Sequence, residues 1–91
     1  MKNFRTLKIW EQGIVISLSV YEMAKNLPAE EKYGLKSQVT RAGVSVPSNI
    51  AEGCSRSSDK DLNRFLEIAL GFAFELETQL IIIQKLGKTS E

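Results

Sequence analysis

A chain of 91 residues, 43% hydrophobic and 25% charged, is too apolar for intrinsic disorder, and it is short enough that folding alone hides only about 60–65% of its unfolded surface. One domain over residues 1–91 is expected, helped by a partner surface. Twelve basic against eleven acidic residues give a net charge of +1, which excludes a bulk pull towards nucleic acid or anionic membrane and leaves only local patches for either.

The first helix is expected from Leu7 to Leu27, where Leu7, Trp10, Ile14, Leu18, Tyr21 and Ala24 recur at helical steps and predict one buried stripe. Pro28 ends it by driving its predecessor out of the α region, and Pro28 to Glu31 reads as a tight connection whose acids open the next helix between Ala29 and Leu35. In the second helix Leu35, Val39, Gly43, Val46, Ile50 and Cys54 keep helical phase straight through Pro47. A real break would reset the phase, so a continuous helix kinked at Pro47 is preferred to two separate helices. The proline ring presses on the carbonyl four residues back, which belongs to Gly43, a residue with no Cβ to obstruct a shift. Gly53 suits the helix end, and Cys54 to Ser58 reads as a polar loop.

Ser58 with Asp61 is a capping signature, and Leu62, Phe65, Leu66, Ala69, Phe72, Ala73, Leu76, Leu80 and Ile83 carry a third helix to Leu86. Leu70, Phe74, Ile81 and Ile82 lie off that stripe. They give the helix more apolar surface than its own chain covers, and they are the expected oligomer contacts. Gly87 closes the pattern before a polar tail, Lys88 to Glu91. The predicted fold is all-α, an antiparallel up-and-down bundle of three long helices.

On the second helix Gln38, Arg41, Ser45, Ser48, Asn49 and Glu52 form a polar stripe. A solvated face is one reading, but serine and asparagine are poor interior helix formers, and a solvent face is more simply built from Glu, Lys and Ala. The stripe is therefore expected to be partly buried or to lie at a contact, with Arg41, Asn49, Glu52 and Glu75 satisfying one another. Replacing Glu52 by alanine is then expected to destabilise several times more than replacing Glu31.

Catalysis finds little support. Glu75 and Glu77 point to different faces, Ser45 and Ser48 have no histidine to activate them, and the single cysteine, Cys54, reads as structural even beside Arg56. Without histidine the commonest metal ligand is missing, and "AGVSVPSNIAEG" lacks the strand, glycine spacing and lysine of a phosphate-binding loop. No enzyme activity, cofactor, metal or small-molecule substrate is expected. A lone cysteine, no secretory leader pattern and no apolar run near a membrane span's roughly 20 residues make cytoplasm the expected compartment. Lys2, Arg5 and Lys8 at the amino end and Arg56, Lys60 and Arg64 around the second loop form two candidate nucleic-acid patches, the second diluted by Asp59 and Asp61.

Together, "LKIWEQG", "YGLKSQVTRAGVSVPSNIAEGCSR" and "RFLEIALGFAFELETQLIIIQKLG" resemble the small bacterial four-helix-bundle family encoded in intervening sequences of large-subunit ribosomal RNA genes. That family reads roughly Q-x-x-R-A-x-x-S-I-P-x-N-I-A-E-G-x-x-R. Gln38, Arg41, Ala42, Ser45, Pro47, Asn49, Ile50, Ala51, Glu52, Gly53 and Arg56 fit it, with Val46 standing for the isoleucine. Phe65, Leu66, Ala69, Gly71, Glu75, Leu76 and Leu80 fit its third helix. The resemblance implies a bundle with no catalytic activity that assembles into a homo-oligomeric ring, typically a pentamer. It also implies kinship with the accessory proteins of diversity-generating retroelements, which bind a reverse transcriptase and nucleic acid. The family's last helix, which follows the third, is expected to be short or missing here. A self-associating scaffold is the first expectation for function, and an RNA- or DNA-binding accessory factor the second.

Overall fold

The computed structural model describes residues 2–31 and 34–87. A 3₁₀ turn at Phe4–Thr6 leads into α1 (Lys8–Ala24). A second 3₁₀ turn at Ala29–Glu31 precedes α2 (Leu35–Cys54), and α3 (Asp59–Leu86) follows. Among the described residues there is no strand, and the all-α reading holds. The expected polar tail, Lys88 to Glu91, lies outside the described residues.

Local chemistry accounts for most of the boundaries. At the start of α3 the Ser58 Oγ accepts the Asp61 N–H at 3.1 Å, and Asp59 and Asp61 add negative charge to a first turn rich in unpaired N–H groups. At its end Gly87 sits at φ 66°, the left-handed conformation in which a side chain would be strained, and its N–H donates to the Gln84 carbonyl. The start of α2 departs from expectation. Glu30 and Glu31 belong to a separate 3₁₀ turn, and α2 opens after Gly34 with no side-chain cap and no acid in its first turn. Pro28 favours a turn at once, which closes before α2 begins.

Helix α2 runs unbroken through Pro47, although an interior proline costs about 3 kcal/mol. Its buried row, Val39, Val46, Ile50 and Cys54, spans both sides of the proline, so breaking the helix there would expose half of that row. Pro47 is itself buried against α1, where a Cβ at Gly13 would lie 3.1 Å from the ring. Further along α1, Val20 packs on Gly43. Gly53 is not a helix end: α2 continues to Cys54, and α3 approaches so closely that a Cβ at Gly53 would meet the Phe65 Cβ at 2.9 Å. Glycine serves there for proximity rather than for a turn.

Helix α2 is central, and α1 and α3 each pack along it while their own backbones stay apart. One core cluster joins Val20, Ala24 and Leu27 to Val39 and Ala42 and to Leu76 and Ile83. A second joins Val46 and Ile50 to Ala69, with Leu7, Trp10, Leu66 and Phe72 packed around it. The buried side of α1 differs from the expected stripe. Gly13, Val20 and Ala24 are buried, whereas Leu18 is 64% and Tyr21 50% exposed. Ile9, Val15, Ile16 and Val20 fill the gaps between the expected positions, so several phases fit α1 equally well. Gly13 settles the choice, because it alone lets the helix close on Pro47.

Candidate interaction surfaces

Since α1 and α3 touch α2 but not each other's backbone, a trough opens between them. Its wider part, about 430 Å³, has Ile9, Gln12 and Ile16 on one wall, Leu66, Leu70 and Ala73 on the other, and Val46 and Ile50 as floor. A neighbouring depression of about 360 Å³ shares Ile16 and continues past Ser19 and Met23 to Leu80. From Ile9 to Met23 the trough follows α1 for about 21 Å, and no charged side chain lines it. The surplus apolar surface expected on α3 is present: Leu70, Phe74, Ile81 and Ile82 are 54%, 61%, 45% and 43% exposed. Leu70 forms part of the trough wall, Phe74 and Ile81 share its flank of α3 but lie outside the trough, and Ile82 falls on the opposite flank of α3.

The polar stripe of α2 is arranged otherwise than expected. The Asn49 Nδ2 donates to the Ser45 carbonyl at 2.7 Å and the Ser45 Oγ to the Arg41 carbonyl at 2.8 Å, each reaching back one turn along its own helix. Glu52 pairs with Arg56 one turn on, both side chains being about half exposed, while Gln38, Arg41 and Glu75 are exposed and make no side-chain hydrogen bond to the described residues. The mutual network of Arg41, Asn49, Glu52 and Glu75 does not form within the chain: the short Asn49 side chain takes the carbonyl one turn back and Glu52 takes Arg56. Among the described residues the buried polar group is instead Gln79 of α3, 9% exposed, whose Oε1 has no hydrogen-bond partner there. Its place between Leu76 and Ile83 at steps of three and four is the signal that would have found it.

The two basic patches meet at one end of the molecule. The Lys2 N–H donates to the Cys54 carbonyl at 3.0 Å, which brings the amino-terminal segment with Arg5 and Lys8 to the α2–α3 loop that carries Arg56 and to the first turns of α3 with Lys60 and Arg64. Arg56 and Arg64 both lie over the Phe65 ring, at 4.6 and 5.4 Å from its centroid. Arg5 lies over Phe4 at 4.5 Å, and Phe4 meets Trp10 edge to face. Glu52, Asp59 and Asp61 share this end and reduce its positive charge. Cys54, 2% exposed, faces the core and is shielded from reagents in solution. Among the described residues no cluster of three His, Cys, Asp or Glu could hold a metal, and no helix is long and apolar enough to cross a membrane.

These surfaces define a class: a small all-α protein whose most developed feature is an uncharged trough between two helices. The family model described as 23S rRNA-intervening sequence protein matches residues 5–91, and the chain belongs to that family. The match indicates no enzymatic family. A search of the curated proteins finds no match.

Proposed function

We propose that the protein is a non-enzymatic, cytoplasmic scaffold that associates with copies of itself into a ring, pentameric as the family resemblance implies. The trough carries this reading. A groove about 21 Å long with no charged lining, together with the exposed Phe74 and Ile81 of α3, is more apolar surface than a lone small chain keeps wet. The protomer in this reading is an antiparallel up-and-down bundle. Support comes from contacts that descend along α2 as they ascend along α1, Gly13 on Pro47 and then Val20 on Gly43, and from Gly53 meeting Phe65 near the turn into α3. A bend of α2 at Pro47 belongs to the same reading, since the proline has no N–H to give the Gly43 carbonyl.

Light scattering after gel filtration tests it. A mass several times the 10.2 kDa of the chain is expected, and glutamate at Leu70, Phe74 or Ile81 is expected to lower that mass before it unfolds the protomer. A compact 10.2 kDa species from the unmodified chain overturns the proposal.

A second reading, an RNA- or DNA-binding accessory factor, for example to a reverse transcriptase, is favoured by the Lys2–Cys54 hydrogen bond, which unites two patches far apart in sequence. Its test is a gel shift with single-stranded and duplex RNA. Binding that weakens as salt rises supports it, provided that Arg56→Glu or Arg64→Glu lowers the salt slope by about 0.7–0.9 for each phosphate no longer neutralised. Absence of a shift at low salt overturns it.

A further inference from the structure

We draw no further inference here: the strongest candidate, the exposed apolar face that Leu18 and Tyr21 of α1 share with Val44 of α2 beside the Lys25 and Lys36 side chains, carries nothing, because nothing in the structure shows what covers it.

Discussion

Helices α1 and α3 lie on the same central helix, yet the two seams are built differently. Along α3 the contact is close and continuous: Phe65 and Leu62 press on Gly53, Ala69 on the Val46–Ile50 layer, and Leu76 and Ile83 on Val39 and Ala42. Helix α1 is the most apolar of the three but buries only Gly13, Val20 and Ala24, and it leaves Ile9, Val15, Ile16, Leu18 and Tyr21 in contact with solvent. The composition of a helix therefore does not set how much of it the chain hides. The size of the face offered by the neighbour does, and α2 offers α1 the Pro47 ring and Gly43, with Val39 and Ala42 beyond them.

Substitutions test this contrast, most sharply at the α3 seam. Ile83→Ala, at a site 1% exposed, is expected to lose about 2–5 kcal/mol in denaturant melts at one fixed protein concentration. A loss below about 1 kcal/mol would mean that the seam is looser than its geometry. Gly53→Ala is next, at about 1–3 kcal/mol, because its Cβ would meet both the Phe65 Cβ at 2.9 Å and the Leu62 carbonyl at 3.2 Å. Gly13→Ala, opposed by the Pro47 ring at 3.1 Å, is expected to do less harm. The reverse ranking would make α1 the tighter partner. Ser58→Ala removes one cap from α3 and is expected to lower stability by about 1 kcal/mol. Smallest is Glu52→Ala, within about 0.5 kcal/mol, since its pairing with Arg56 is half exposed. A loss of several kcal/mol there would show that the polar stripe of α2 is covered in the assembled protein.

Much of the helical plan is legible in the amino acids. The cap at Ser58, the left-handed Gly87 and the passage of α2 through Pro47 follow from rules acting within a turn or two, and all three are found. The inner side of α1 is not legible, because apolar residues at nearly every angle give periodicity nothing to choose between. Gly53 misleads for a related reason. Glycine permits either a positive φ or a close approach, and only the arrival of Phe65 tells which is in use. The polar stripe is visible in the sequence but its partners are not, since Ser45 and Asn49 have a carbonyl of their own helix within reach.

The order of the helices, their caps and the excess of apolar surface on α3 are properties of neighbouring residues, and the chain specifies them wherever it goes. Packing chose what lies further apart: the inner side of α1, the trough between α1 and α3, and the union of the Lys2 and Arg56 segments at one end. Side chains distant in sequence compete for the same limited space on α2. The winner is settled by fit at a few close approaches, above all Gly13 on Pro47 and Gly53 on Phe65, rather than by the hydrophobicity of any one segment.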